Sequence, residues 1–184
     1  SKIGSETNDF HIADVCNEIC EKLIHRHPHI YGDVEVKDEE EVKQNWEKLK
    51  LKEGKKSVLE GVPRSLPALV KASRIQDKVK GVGFDWEEPH QVWDKVQEEL
   101  EELQVEVKAG NQEKMESEFG DVLFSMINYA RFLNVNPEDA LERTNKKFIK
   151  RFQYLESKAS QLGKSLADMT LAEMDVFWNE AKKL

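Results

Sequence analysis

The sequence predicts an all-α protein whose C-terminal part forms an antiparallel four-helix bundle. No segment shows the sustained alternation of apolar and polar residues that is typical of a half-buried strand. Apolar residues recur instead at helical spacing, most clearly in four blocks after residue 88. Short loops marked by glycine, asparagine and proline separate these blocks, and short loops favour antiparallel neighbours.

Composition restricts the class of protein before any motif is considered. The chain has 184 residues, of which 28 are Lys or Arg and 36 are Asp or Glu, and its net charge is -8. Such an acidic chain is not expected to bind nucleic acid or an anionic membrane, because those surfaces attract basic proteins. No apolar run approaches the roughly 18 residues of a membrane helix. Cys16 and Cys20 are interpreted as small apolar thiols in a helix core, which favours a reducing cytoplasm.

The N-terminal third contains one clear helix and a highly charged stretch. We expect Asn8 or Asp9 to cap a helix that ends near Pro28, because proline disfavours helical geometry in the residue before it. Residues 33–57 carry many charges and only a thin apolar stripe. They are interpreted as a loosely attached helix or linker.

Glycines mark the ends of the next helices. A helix is expected after the boundary at Pro67 and should end at Gly81. The stripe that begins after Pro89 ends at Gly110, a good C-terminal cap. The next apolar stripe ends at Asn134.

The last two helices have local signals at their N-termini. Asn136 is a capping residue, and Pro137 occupies the first helical position of a helix that runs to about residue 160. Thr170 and Glu173 form the sequence pattern of a capping box. Four helices are therefore expected after residue 88.

Acidic residues flank the turn at Gly110 at matching distances. Glu102 and Glu118 lie eight residues before and after it, and Glu99 and Asp121 lie eleven before and after it. At about 1.5 Å per residue, each pair has the same height on two antiparallel helices. The spacing of three residues places both acids of one helix on one face. We expect the four carboxylates to converge.

The second helix of this pair carries apolar residues on nearly every side, which predicts burial on several sides. Glu118 and Asp121 are then unlike ordinary surface acids. Gly120 between them would allow another helix to approach closely.

Converging carboxylates require a cation or protons. Two carboxylates about 5 Å apart repel each other by roughly 3 kcal/mol at an effective dielectric constant near 20. Oxygen-only ligand sets favour hard divalent ions, so Mg²⁺ is expected, with Mn²⁺ as a substitute. Because Mg²⁺ commonly binds phosphate oxygens as well, the pattern indicates phosphate chemistry.

Basic residues occur where a phosphate would need them. Lys147 and Arg151 are four residues apart on one helix, and Lys95 lies one turn before Glu99. A solvated basic face is the alternative on spacing alone. The neighbouring acidic cluster favours anion binding.

These residues carry a family resemblance. EELEE at 98–102, followed after fifteen residues by EFGD at 118–121, resembles the EExxE…ExxD motif of the MazG nucleoside triphosphate pyrophosphohydrolases. Three other segments are similar to the same family: VLEGVPRSLPAL at 58–69, GVGFDW at 81–86 and NKKFIKRF at 145–152. The resemblance implies an all-α homodimer that uses Mg²⁺ to hydrolyse nucleoside triphosphates to monophosphate and pyrophosphate.

The resemblance also implies roles for individual residues. The implied metal ligands are Glu99, Glu102, Glu118 and Asp121. The residues at positions that contact nucleotide in the family are Lys95, Lys114, Lys147, Arg151 and Trp178. Trp178 is a candidate to stack on the base, the alternative being a core aromatic residue.

Residues 10–33 resemble the end of a first MazG domain in family members that carry two. We therefore expect residues 1–60 to be an incomplete first domain plus a charged linker, and residues 61–184 to be the catalytic domain. The chain would be the C-terminal portion of a longer protein. The histidines of this segment, at positions 25, 27 and 29, are interpreted as structural rather than metal-binding.

The expected mechanism is attack of water on the α-phosphorus, with Glu98 or Glu99 taking the proton. A catalytically idle module that binds nucleotide or serves dimerisation or regulation is the alternative. A narrower house-cleaning enzyme for modified or deoxy nucleotides is a third reading.

Overall fold

The protein is all-helical in the part of the chain that its computed structural model describes, residues 2–7, 9–38, 41–42, 45–46, 49 and 57–183. These residues form eight α-helices and no strand, which confirms the predicted class. The helices are α1 (Lys2–Glu6), α2 (Ile12–Arg26), α3 (Pro28–Tyr31), α4 (Ala68–Lys80), α5 (Pro89–Ala109), α6 (Gln112–Phe132), α7 (Pro137–Gln161) and α8 (Leu171–Ala181). None of these described helices combines the length and apolar character that crossing a membrane requires.

The start of α2 differs from the prediction. His11 caps the helix, and its backbone N–H donates to the Asp14 carboxylate at 2.7 Å. Asp9 instead accepts a hydrogen bond from the Thr7 hydroxyl at 2.6 Å, and Asn8 lies outside the described residues. The predicted end before Pro28 is confirmed, since α2 stops at Arg26.

The prediction that Cys16 and Cys20 lie in a helix core is wrong for the described chain. Both thiols are exposed, and α2 has no buried residue. The apolar residues of α2 do recur at helical spacing, but most of them, including Ile12, Ile19 and Leu23, are exposed. Much of the charged stretch at 33–57 lies outside the described residues. Its interpretation as a loosely attached helix or linker therefore stays a prediction.

The helix ends after residue 67 follow the local sequence signals. Gly81 caps α4, and Gly110 caps α5 in the left-handed conformation with φ 68°. The Asn136 side chain accepts hydrogen bonds from the backbone N–H groups of Glu138 and Asp139 at the start of α7. Thr170 forms the predicted capping box at the start of α8.

The expected burial of α6 on several sides holds for only part of its apolar residues. Phe119, Leu123 and Met126 are 54%, 50% and 44% exposed. A Cβ atom added to Gly120 would meet nothing within 4 Å in the described structure, so no helix approaches it closely there. Val122 and Ile127 are nevertheless both buried, and at 3.6 residues per turn they lie on different sides of α6.

The chain divides into two compact units, Ser1–Asn128 and Tyr129–Leu184. A cross-helix hydrogen bond in the first unit joins Gln76 of α4 to the backbone carbonyl of Phe124 at 2.8 Å. In the second unit, the Tyr154 hydroxyl of α7 donates to Glu180 of α8 at 3.1 Å. These units are defined by how compactly the chain folds, and they do not define functional domains. The predicted domain boundary near residue 60 therefore stays a prediction.

Candidate functional site

Two residues form the turn that brings α5 and α6 together. Gly110 ends α5, and the Asn111 side chain accepts a hydrogen bond from the backbone N–H of Lys114 at 3.2 Å, which caps α6. Across this turn the Lys114 ammonium lies 3.2 Å from the Glu106 carboxylate. The short turn and this contact place the two helices side by side in opposite directions.

Three of the four predicted metal ligands lie together in this hairpin. Glu99, Glu102 and Glu118 each offer a carboxylate oxygen, and the three oxygens lie within 4.8 Å of one another. Glu99 is buried, with 8% of its surface exposed, Glu118 is half-buried and Glu102 is exposed. One side of the cluster is therefore closed by protein and the other is open to a ligand.

The fourth predicted ligand, Asp121, lies one helical turn beyond Glu118 and is exposed. It does not belong to the three-acid group. Its charge nevertheless acts on the cluster, since it contributes to raising the pKa of Glu118. The structure places Asp121 at the edge of the site.

Burial and the neighbouring acids both act on the Glu118 carboxyl. Desolvation raises the pKa of this carboxyl above its ordinary value, and the charges of Glu102, Asp121, Glu99 and Glu106 raise it further. The cluster holds more negative charge than its surroundings neutralise. A proton or a cation would relieve that repulsion.

Lys95 and Glu98 lie beside the cluster on α5. The Lys95 ammonium contacts Glu99 at 2.8 Å and donates a hydrogen bond to Glu98 at 2.9 Å. These two carboxylates, Glu99 first, raise the pKa of Lys95 above its ordinary value. Glu98 is more exposed than Glu99 and is not a member of the three-acid group.

Glu106 is a residue of the site that the sequence reasoning missed. It follows Glu102 by four residues and therefore continues the acidic face of α5. It pairs with Lys114 and contributes to the raised pKa of Glu118. The four-residue spacing was the signal that would have identified it.

The remaining predicted nucleotide contacts belong to the second compact unit. Trp178 of α8 is half-buried against Phe148 of α7, with 5.0 Å between ring centroids. The Arg151 guanidinium lies over the Trp178 ring at 6.0 Å from its centroid, and Lys147 is exposed on the same helix. A cation and an aromatic ring are thus adjacent here.

The histidines of the N-terminal segment show no metal-binding arrangement. The His27 ring nitrogen Nδ1 lies 2.7 Å from the Leu23 carbonyl oxygen, and the His27 and His29 ring centroids are 5.7 Å apart. Within the described ranges, only Glu99, Glu102 and Glu118 form a group of three or more metal-binding side chains within reach of one another.

Comparison with known proteins identifies the family. The family model of the MazG nucleotide pyrophosphohydrolase domain matches residues 1–31 and 87–155, and the second stretch contains the whole acidic cluster. The chain belongs to the MazG family. It is 41% identical over 185 residues to the nucleoside triphosphate pyrophosphohydrolase/pyrophosphatase MazG of Thermotoga maritima, an alignment that covers 99% of this chain and 70% of that protein.

Two further relatives support the MazG assignment. The nucleoside triphosphate pyrophosphohydrolase of Escherichia coli K12 is 36% identical over 189 residues, covering 100% of this chain and 72% of that protein. The uncharacterized protein YabN of Bacillus subtilis is 46% identical over 187 residues, but only 38% of its length is covered. The prediction that the chain is an enzyme, a MazG-type nucleoside triphosphate pyrophosphohydrolase, is confirmed.

The donor set of this MazG chain fits a divalent metal ion. The three clustered groups are all carboxylates, and hard divalent cations prefer oxygen ligands. The charges of neighbouring carboxylates are among the causes that raise the pKa of Glu118, and a bound cation would offset them. The described residues of the site therefore match the chemistry of a metal-dependent hydrolase.

Proposed function

We propose that this protein hydrolyses nucleoside triphosphates at the α-phosphorus and releases nucleoside monophosphate and pyrophosphate. The observation that carries the proposal is the approach of three carboxylates from two antiparallel helices to within 4.8 Å. Family membership and the names of two relatives support the substrate class.

Glu99, Glu102, Glu118 and Asp121 are the proposed ligands of Mg²⁺, with Mn²⁺ as a substitute. Such an ion supplies positive charge to phosphate oxygens and makes water a stronger acid. Burial of Glu99 fixes one ligand, while the exposed side of the cluster leaves room for the triphosphate. Asp121 lies at the edge of the site, where it can complete the ligand set.

Glu98 or Glu99 is the proposed acceptor of the proton from the attacking water. The oxygen of that water forms the new bond to the α-phosphorus, and the bridging bond to the β-phosphate breaks. Pyrophosphate leaves with the electron pair of that bond. Glu98 is exposed enough to exchange its proton with solvent, whereas Glu99 is closer to the proposed ion.

Basic side chains are proposed to neutralise the charge that develops on pyrophosphate. Lys147 and Arg151 would act with Lys95 or Lys114. Trp178 is proposed to stack on the base, a role that its partial exposure allows. Arg151 lies over the Trp178 ring, so the residue proposed to neutralise charge is adjacent to the residue proposed to stack on the base.

A homodimer is proposed because both helices of the hairpin expose apolar stripes at helical spacing. A contiguous apolar surface of this kind commonly marks a protein interface. A four-helix bundle formed with a second copy would cover these side chains, which are Trp93, Leu100 and Val107 on α5 and Phe119, Leu123 and Met126 on α6.

Residues 61–184 are proposed to be the catalytic domain of a tandem-domain protein located in the cytoplasm. The separation of the family match into 1–31 and 87–155 supports this organisation. The acidic motif lies in the second stretch.

Hydrolysis in ¹⁸O-labelled water tests the reaction. We expect monophosphate and pyrophosphate as products, with the label in the monophosphate, because water attacks the α-phosphorus. Label in the pyrophosphate would indicate attack on the β-phosphorus, and diphosphate with orthophosphate would contradict the proposal altogether. Binding of Mg²⁺-nucleotide without pyrophosphate release would indicate a catalytically idle module.

Matched variants assign the activity to the cluster. Asp121→Asn and Glu102→Gln should each lower turnover by at least about 100-fold, because each removes a charged ligand while keeping side-chain size. Glu101→Gln, an exposed acid on the same helix, should keep turnover near that of the parent protein. Retained activity in Asp121→Asn would remove this residue from the ligand set.

A further inference from the structure

The ammonium group of Lys95 lies against Glu99, the buried acid of the cluster. Lys95 approaches Glu99 to 2.8 Å and Glu98 to 2.9 Å, and all three residues lie within one turn of α5. Glu99 has only 8% of its surface exposed. A carboxylate so little hydrated is stabilised by a neighbouring cation. Lys95 provides that cation in the structure.

We propose that Lys95 is an internal counter-cation of the cluster, which neutralises Glu99 until a divalent ion arrives and then shifts towards Glu98. This inference rests on the proposed metal site. An ammonium and a dication cannot both lie against the Glu99 carboxylate without strong repulsion, since like charges a few Å apart repel in a poorly hydrated site. The flexible four-carbon stem of lysine allows the shift without movement of the helix.

Glu98 acquires a specific role in this scheme. Its carboxylate is 56% exposed and lies outside the three-acid group. It therefore keeps Lys95 beside the site after the metal has taken Glu99. The shifted ammonium becomes available to a phosphate oxygen of the substrate. Metal and triphosphate would then strengthen each other's binding, because the first releases the cation that the second uses.

Binding of Mn²⁺ without nucleotide tests the competition directly. The free ion is counted by electron paramagnetic resonance in the parent protein and in Lys95→Met, which keeps side-chain length and removes the charge. We expect Lys95→Met to bind Mn²⁺ about three- to tenfold more tightly, since it no longer competes for Glu99. Lys95→Arg keeps the charge and should bind no more tightly than the parent protein.

Two controls separate direct competition from a general change of charge. Lys108→Met removes a charge from an exposed position of the same helix and should leave the Mn²⁺ affinity within about twofold of the parent value. Lys114→Met removes the lysine that pairs with Glu106, which is not a proposed ligand. An equal gain in Lys114→Met and Lys95→Met would overturn the inference.

Thermal unfolding provides a second readout that does not depend on turnover. Without metal, Lys95→Met should melt below the parent protein, because Glu99 loses the ammonium group that lies 2.8 Å from its carboxylate. Saturating Mn²⁺ should close that gap. A gap that persists with metal would indicate an ordinary structural ion pair and would contradict the exchange of cations.

The outcomes distinguish this inference from the proposed function. Mn²⁺ binding by the parent protein that Glu102→Gln and Glu118→Gln weaken would support the metal site. If Lys95→Met then binds as the parent does or more weakly, the inference alone fails. Absence of any such Mn²⁺ binding in the parent protein would overturn both.

Discussion

At the residue scale, two glutamates with opposite pKa shifts show how local charge is used in this protein. Desolvation and neighbouring acids raise the pKa of Glu118, whereas Lys164 and then Thr170 lower the pKa of Glu173 to about 2. Glu173 completes a capping box at 2.8 Å from the Thr170 backbone nitrogen. One carboxylate stabilises a helix end, and the other belongs to the acidic cluster of the proposed metal site.

These shifts predict opposite effects of pH on stability. The raised pKa of Glu118 means that its protonated form contributes stability below the unfolded-state pKa, and that this contribution is lost as pH rises through the folded-state pKa. The lowered pKa of Glu173 contributes stability above the unfolded-state pKa, and it is lost as pH falls from about 4.5 to about 2.

Urea unfolding of metal-free Glu118→Gln and Glu173→Gln measures both effects. At pH 7 we expect Glu118→Gln to unfold at higher urea concentration than the parent protein, and Glu173→Gln at lower concentration. Both differences should shrink as the medium becomes acidic. A destabilised Glu118→Gln at pH 7 would show that the cluster is not under repulsion in the metal-free protein.

At the element scale, the helix ends after residue 67 could be predicted from sequence, whereas the start of α2 and the burial of helix faces could not. Gly110, Asn136 and Thr170 act on backbone groups a few residues away, so the information lies within a short window. The apolar sides of α2 and α6 are visible in the sequence as well. Periodicity does not say which segment, or which other molecule, covers such a side.

The candidate site was predictable for a related reason. Matching distances from the turn at Gly110 were enough to bring Glu102 opposite Glu118, because a two-residue turn leaves little freedom. The contact between Lys95 and Glu99 follows from their spacing of four residues. The exposure of Asp121 depends on which side of α6 the chain covers, and spacing does not determine that.

Two glycine-to-alanine substitutions test the geometry of α6 and of the turn that precedes it. Gly110→Ala should lower the free energy of unfolding by about 1 kcal/mol, because alanine resists the positive φ of 68° there. Gly120→Ala should raise it by up to about 1 kcal/mol, since this glycine lies inside a helix and its Cβ would meet nothing within 4 Å. Chemical denaturation measures both. A destabilising Gly120→Ala would reveal a close neighbour, as the sequence had suggested.

At the scale of the whole molecule, the exposed apolar stripes of α5 and α6 are the surface on which the proposed homodimer rests. Their side chains are too many and too regularly spaced to resemble the single exposed apolar residues of ordinary surfaces. The acidic site lies on the same two helices. The proposed dimerisation and the proposed metal binding would therefore both depend on one hairpin.

Substitution within one stripe tests the proposed homodimer. Leu123→Arg should weaken self-association by about tenfold or more, because it places a charge in an apolar interface. Leu171→Arg, at a position that is 74% exposed in α8, provides the matched control and should leave self-association unchanged. Sedimentation velocity over a range of concentrations measures both. A monomeric parent protein, or equal behaviour of the two variants, would contradict the proposal.

The most direct measurement of the central claim is a crystal structure with Mn²⁺ and a triphosphate whose α,β-bridge resists hydrolysis. Anomalous scattering then locates the ion without assumptions about its identity. We predict a peak about 2.1 Å from carboxylate oxygens of Glu99, Glu102, Glu118 and Asp121, and beside the α-phosphate. An ion bound elsewhere, with these carboxylates turned to solvent, would contradict the account.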